Sequence, residues 1–403
     1  MSMPKLRFKE FDGDWLQTTL LDISELITKG TTPKVFKVGI INFLKIEAIQ
    51  GNSFDLNKCQ TIDTQVHEKE LKRSILQEGD VLFAIAGATI GKNAIVTKDI
   101  LPANTNQALA IIRLKNMNSK LFISKILNSP IMEKYIDENI SVGAQPNLNL
   151  QQIGTFSFFK PELEEQTKIA SFLSKVDEKI SLLTKKNELL CQYKQGMMQK
   201  LFSQQIRFKA DDGSDFGEWS ETTLGQTGKF IGGGTPSKEN NEFWEGSIPW
   251  ISSSDLTEES IFKINITRYI SSDGLNQSAT KLVPANSILI VSRVGVGKVA
   301  ITPHEICTSQ DFTNLALTDG NSIFFAYLIK SLTPYLLEMN QGTSIKGFVK
   351  EDLSNLEILV PCLEEQTKIA NFLSSIDQKI EVVVHQIEQA KTWKKGLLQQ
   401  MFV

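Results

Sequence analysis

The segment Gly87-Ala-Thr-Ile-Gly91-Lys92-Asn93 comes nearest to a phosphate cradle, since glycines let backbone N–H groups turn inward and a lysine supplies charge. The glycines are one residue too close for a nucleotide-binding loop, and Asn93 stands where the loop needs Ser or Thr for magnesium. Nucleotide binding is therefore not expected there. Other chemistry is equally short of partners. His67, His304 and His385 stand alone, without a neighbouring nucleophile or metal-binding motif. Cys59, Cys191, Cys307 and Cys362 form no Cys-x-x-Cys pair, which fits a reducing, cytoplasmic setting better than a disulfide framework. Methylation of an adenine amine would call for Asn-Pro-Pro or Asp-Pro-Pro, and neither tripeptide occurs. The expectation is a chain with no catalytic residue, no metal and no cofactor of its own.

The chain has 403 residues, 41% of them hydrophobic, enough for two or three cored domains. No apolar stretch approaches the roughly 20 residues of a membrane span, and Met1 to Phe11 mixes Lys5, Arg7, Lys9 and Glu10, unlike a signal peptide. Neither a membrane anchor nor a signal peptide is expected. The net charge of −3 is unevenly spread: +3 over residues 1–160, +1 over 161–205, −7 over 206–360 and zero over 361–403. Bulk charge would not bind the −7 segment to nucleic acid, so contacts there need a local basic cluster or help from a partner.

The chain repeats itself. Pro161-Glu-Leu-Glu-Glu-Gln-Thr-Lys-Ile-Ala-Ser-Phe-Leu173 returns as Pro361-Cys-Leu-Glu-Glu-Gln-Thr-Lys-Ile-Ala-Asn-Phe-Leu373, an offset of 200. Leu6-Arg-Phe-Lys9 returns as Ile206-Arg-Phe-Lys209, and Trp15 and Thr18-Thr-Leu20 answer Trp219 and Thr222-Thr-Leu224. Between these anchors the likeness is thin but ordered: Ile90-Gly-Lys92 answers Val296-Gly-Lys298, and Asn106-Gln107 answers Ser309-Gln310. Met401-Phe-Val403 matches Leu201-Phe-Ser203, so the repeat closes on itself and implies a cyclic order with a pseudo-twofold relation between halves.

From Ile169 the apolar positions step by four and three through Leu173, Val176, Ile180, Leu183, Asn187, Leu190, Lys194, Met197 and Leu201. The second copy runs Ile369, Leu373, Ile376, Ile380, Val383, Ile387, Ala390, Lys394, Leu397 and Met401. Both are heptad seams. About 40 residues at about 1.5 Å each make a rod of about 60 Å. Glu164-Glu165 and Glu364-Glu365 suit the positive end of a helix dipole. Such seams could join two chains as a dimer, but a copy inside one chain can pair with its twin, and cyclic order makes that pair antiparallel. Lys194 and Lys394 either snorkel at frayed ends or mark a surface for another subunit.

These residues resemble the specificity subunits of Type I restriction-modification systems along the whole chain. The likeness is carried by the two helix openings, by Gly196-Met-Met-Gln-Lys-Leu-Phe202 and Gly396-Leu-Leu-Gln-Gln-Met-Phe402, and by Gly234-Thr-Pro-Ser237, Trp244, Ile248-Pro-Trp250 and Ser292-Arg-Val-Gly-Val-Gly-Lys298. The resemblance implies an α+β chain of two target recognition domains, residues 1–160 and 206–360, separated by spacer helices 161–205 and 361–403 paired as an antiparallel intramolecular coiled coil. It implies a non-catalytic subunit that reads a bipartite site on double-stranded DNA. Two methylation subunits and the restriction and translocase subunits would be its partners, and S-adenosylmethionine, ATP and Mg would belong to them. For partner binding, the seam positions Ile169, Leu173, Val176, Ile180 and Lys194, with Ile369, Leu373, Ile376, Ile380 and Lys394, are the candidates.

Candidate DNA contacts are turn residues that carry donors. In the first half they are Lys29, Thr31, Thr32, Lys34, Lys92, Asn106 and Gln145, and in the second Thr235, Ser237, Lys238, Arg293, Lys298, Ser344 and Lys346. Asn104, Gln107, Asn147 and Gln310 are further candidates, with the competing reading that Gln107 and Gln310, at matching places, stabilise the shared frame. Gly30-Thr-Thr-Pro33 stands where the second half has Gly234-Thr-Pro236, and nothing in the first half matches Trp244 or Trp250. A self-contained enzyme on DNA and a protein-binding adaptor are the rival functions.

Overall fold

The computed structural model describes residues 3–51, 53–140, 146–339 and 347–403. Gln145, Ser344 and Lys346 lie outside the described residues. Two compact units divide the chain: residues 1–184 with 385–403, and residues 185–384. Each unit thus takes half of each long helix.

Elements of the first unit follow the chain as β1 (Leu16–Thr19), β2 (Ser24–Lys29), β3 (Ile41–Leu44), β4 (Ile49–Gln50), β5 (Ser53–Phe54), β6 (Gln60–Ile62), β7 (Val81–Ala84), β8 (Asn93–Ile95), β9 (Ala103–Thr105) and β10 (Leu109–Leu114), then α1 (Lys120–Leu127), α2 (Pro130–Asn139), α3 (Leu150–Thr155), β11 (Ser157–Lys160) and α4 (Leu163–Phe202). The main sheet has the order β2-β10-β7-β8, all antiparallel. Val81-Leu-Phe-Ala84 is an unbroken apolar run because both faces of β7 are covered. Val81 and Phe83 join a core with α1 and α3, while Leu82 and Ala84 join a second core under β8 and β9. A smaller sheet, β6-β3-β9, pairs β3 with β9 in parallel. Local sequence sets the helix starts: the Ser119 hydroxyl accepts from Phe122 N, Pro130 opens α2, and Asn149 with Gln152 forms a capping box on α3.

The second unit continues with β12 (Ser220–Thr223), β13 (Gly228–Gly232), β14 (Ile248–Ile251), β15 (Arg268–Ile270), α5 (Ser272–Asn276), β16 (Leu282–Val283), β17 (Ile288–Ile290), β18 (Val299–Ile301), β19 (Ile306–Thr308), β20 (Thr313–Leu317), α6 (Ser322–Met339), α7 (Lys350–Ser354), β21 (Glu357–Val360) and α8 (Leu363–Met401). The same frame recurs. A sheet β13-β20-β17-β18 answers the first main sheet, and β15-β14-β19-β16 again holds one parallel pair, β14 with β19. Strand β1 pairs with β11, and β12 with β21.

The duplicated helix opening is a lock. Glu165 is buried, and both its carboxylate oxygens accept from Arg7, Nε and Nη2 at 2.7 Å each, with Trp15 Nε1 at 3.4 Å. Glu365 accepts likewise from Arg207, at 3.1 and 2.8 Å, and from Trp219 at 3.1 Å. Gln166 and Gln366 donate back to the Pro161 and Pro361 carbonyls and accept from the N–H of Ser119 and Asn321. Glu164 and Glu364 are exposed, so the dipole reading suits them, whereas Glu165 and Glu365 tie each helix start to the irregular segment that leads into β1 or β12, some 150 residues earlier.

The seam lysines have partners. In the first unit Asp177 of α4 holds Lys394 of α8 at 2.7 Å and also pairs with Lys125 of α1. In the second, Asp377 of α8 holds Lys194 of α4 at 2.5 Å and accepts from Tyr327 Oη at 2.5 Å. Burial alone would raise the Asp177 carboxyl; hydrogen bonds from Lys125 and Lys394 outweigh it and hold that group below the usual carboxylate range. Both pairings obey the 200-residue offset, and in each unit the early part of one long helix meets the late part of the other, as antiparallel helices do. Ile169, Leu173, Val176, Ile369, Leu373 and Ile376 are buried and Ile180 and Ile380 half-buried, all packed into the chain's own cores. The seam shifts by one residue near its end: Met198, not Met197, is buried, and with Leu201 it packs into the second unit's core. Both helices run unbroken through Gly196 and Gly396.

Candidate nucleic-acid interface

In the first unit, Gly30 at the end of β2 begins the candidate turn. A Cβ there would lie 2.1 Å from the Asn106 carbonyl oxygen, so only glycine lets the turn sit against the β9–β10 connection. Thr31 N donates to the Thr105 carbonyl at 2.9 Å, and Thr32 Oγ1 donates to the Gln107 side-chain carbonyl. In the second unit Gly233 takes the place of Gly30, 2.0 Å from the Ser309 oxygen by the same measure. Gly234 N donates to the Thr308 carbonyl at 2.8 Å and Thr235 Oγ1 to Gln310. This corrects the alignment: Gly30-Thr-Thr-Pro33 answers Gly233-Gly-Thr-Pro236, and Thr31 replaces Gly234. Gln107 and Gln310 brace the turn in both units, as the shared-frame reading expects.

The structure brings several first-unit candidates to one cleft of about 300 Å³, lined by Lys29, Ala86, Gln107 and Asn147 among others. Thr32 and Lys34 are exposed beside it, and Thr31 accepts from Arg73 Nη2 at 3.4 Å. Lys92 is exposed at the end of the β7–β8 turn, its carbonyl accepting from Ala84 N at 2.8 Å. Asn106 is half-buried, its Oδ1 accepting from Ala108 N two residues on. Asn104 is wholly buried, donating to the Leu71 carbonyl and held by His67, which makes it a frame residue.

In the second unit Ser237 and Lys238 are exposed, and the Ser237 carbonyl accepts from Trp244 Nε1 at 3.0 Å. Arg293 is exposed on the β17–β18 turn, beside Gly347. Lys298, answering Lys92, reaches inward to the Ser253 carbonyl at 3.0 Å and so holds two loops together. A cluster that the sequence did not reveal lies alongside: Arg268 covers the Trp250 ring at 4.6 Å and binds Ser252 Oγ and Asp255. Trp250 is held through Nε1 by the Gly234 carbonyl at 2.9 Å, while Phe43 takes its place in the first unit's parallel pair. The tryptophan-rich stretch of the second half, Trp244 to Trp250, was the available signal; Arg268 lies 18 residues beyond Trp250.

Among the described residues no group of three or more His, Cys, Asp or Glu could hold a metal ion, and no helix is long and apolar enough to cross a membrane. The exposed groups here, Thr32, Lys34, Lys92, Ser237, Lys238 and Arg293, are hydrogen-bond donors suited to phosphates and base edges. Comparisons with known proteins agree with that chemistry. Residues 12–192 and 217–392 match the family described as the Type I restriction modification DNA specificity domain. A relative named as the MjaX type I restriction enzyme specificity subunit, from Methanocaldococcus jannaschii, is 28% identical over 98% of this chain and 94% of its own. A chain from a structural study of complex assembly in a type I restriction-modification system superposes with a TM-score of 0.63 at 19% identity, covering 96% of this chain and 97% of its own. The specificity subunit from M. genitalium gives 0.60 at 16% identity, covering 100% and 99%. With the family's domain matched once in each half, this chain belongs to the Type I restriction-modification DNA specificity family.

Proposed function

We propose that this chain is the non-catalytic address-reader of a Type I restriction-modification complex, acting on a bipartite site in double-stranded DNA. Residues 1–160 and 206–360 each read one half-site, and the helices 161–205 and 361–403 set the unread gap. The observation that carries this reading is the same braced turn in both units, Thr32 on Gln107 and Thr235 on Gln310, surrounded by different exposed side chains. One frame with two reading surfaces is what two different half-sites require.

Two methylation subunits bind the helices, and restriction and translocase subunits complete the assembly in the cytoplasm. S-adenosylmethionine, ATP and Mg bind those partners and not this chain. Because the eight apolar seam candidates pack into the chain's own cores and Lys194 and Lys394 are paired with Asp377 and Asp177, a docking subunit meets outward residues such as Leu182, Leu189 and Val382. Methylome sequencing of cells carrying the system tests the reading directly: a split motif that disappears with this gene is expected, and an unchanged methylation pattern would overturn it. Affinity for that site should rise sharply when methylation subunits are added, since the −7 second segment supplies little counterion release. Equal binding by the isolated chain at moderate salt would refute the charge argument.

A further inference from the structure

From Leu26 to Ile46 the chain carries four lysines and no acidic residue. Within that stretch the loop leaving Pro33 displays apolar side chains that a solvated loop has no reason to expose: Val35 is 64% exposed, Val38 88% and Ile40 84%. The loop is held in place. Lys34 N donates to Glu70 at 2.7 Å and the Lys37 carbonyl accepts from Asp63 N at 2.9 Å, while a Cβ at Gly39 would lie 2.4 Å from the Ile62 oxygen. Phe36 lies edge-on to Phe43 at 5.4 Å, under Lys45 Nζ. The result is a fixed apolar tip with exposed Lys34, Lys37, Lys69, Lys72 and Arg73 near it, five cations against the exposed carboxylates Glu68 and Glu70.

Resting on the DNA-reading proposal, we infer that Val35, Val38 and Ile40 form a wedge that enters a DNA groove and unstacks a base step in the half-site read by the first unit, with the surrounding lysines on the flanking phosphates. Apolar wedges of this kind pry base steps apart and make recognition depend on how easily the sequence deforms. Charge complementarity favours DNA over a protein partner. So does size, because a stable protein interface needs about 800 Å² and 20 to 30 residues on each side, far more than three tips. The second unit is built differently. Its Ser237–Ser247 stretch carries Glu239, Glu242 and Glu245, and Phe243 and Trp244 are only half-exposed.

The test uses the complete complex with its methylation subunits, on the split motif given by methylome sequencing, with 2-aminopurine placed in either half-site. Val38→Ser/Ile40→Ser should assemble normally and bind about tenfold more weakly. It should lose the fluorescence rise in the first unit's half-site and keep the second half-site's signal unchanged. Lys34→Ala/Lys37→Ala should retain the fluorescence rise while lowering the salt dependence by about one phosphate per lysine. If wild type binds the split motif and the serine variant matches it in affinity and fluorescence, the wedge is refuted and the DNA reading survives. A serine variant that no longer assembles would assign the tip to a protein partner instead, and absence of any split motif for wild type would remove both proposals.

Discussion

Asp377 and Lys194 form a buried pair, each side chain 9% exposed, with Tyr327 Oη on the second carboxylate oxygen. Such a pair contributes little net stability over an apolar replacement, yet removing one partner strands a buried charge at a cost of about 3–5 kcal/mol. Asp377→Asn should therefore lower the urea midpoint strongly. The double variant Asp377→Leu/Lys194→Met removes both charges and leaves mainly an unpartnered Tyr327 hydroxyl, at a cost of about 1–3 kcal/mol. Equal midpoints for wild type and the single variant would show that the pair is solvated. Cys307 offers a simpler contrast: burial pushes its thiol up to about 11, whereas Cys191 and Cys362 are exposed. Thiol reagents should label those two in the native chain and spare Cys307.

At the scale of elements, the long helices are tied at both ends. Glu165 and Glu365 fix the starts, and Lys394 and Lys194 fix the late turns against Asp177 and Asp377. A change of length therefore has to appear between the ties. Seven residues inserted after Leu183 keep the seam in phase and add about 10 Å of rise. With base pairs about 3.4 Å apart, full transmission lengthens the unread gap by about three base pairs. The unchanged second helix absorbs part of this, so an increase of one to three is expected, with both half-sites intact. Methylome sequencing of the insertion mutant decides it: an active enzyme with the original gap would show that these helices are not the ruler.

For the molecule as a whole, cyclic order is visible in one hydrogen bond. Leu6 N donates to the Gln400 carbonyl at 3.0 Å, and Ile206 N donates to the Lys200 carbonyl at 3.3 Å. The first joins the two ends of the chain, and the second is its unbroken counterpart. Linking Val403 to a residue near Pro4 and opening the chain near Gln204 should consequently leave a folded, active subunit. Its circular dichroism and its methylation motif would both match the parent's; an unfolded permutant would make the closure a coincidence of sequence.

The amino-acid order alone determined the duplication, its closure, the two helices and the family, because copied segments and heptad spacing are properties of linear sequence. It also singled out the turns at Gly30–Lys34 and Thr235–Lys238, whose glycine, proline and threonine content marks turns locally. Only the tertiary structure decided what the repeated residues do. Glu165 meets Arg7 across 158 positions, Thr32 meets Gln107 across 75 and Lys194 meets Asp377 across 183. No local spacing encodes such partners, since a hydrogen bond or ion pair depends on proximity that strand pairing and packing create. The same holds for exposure. A stretch such as Val35 to Ile40 reads as core material by composition, and only the packed strands beneath it leave those side chains facing outward.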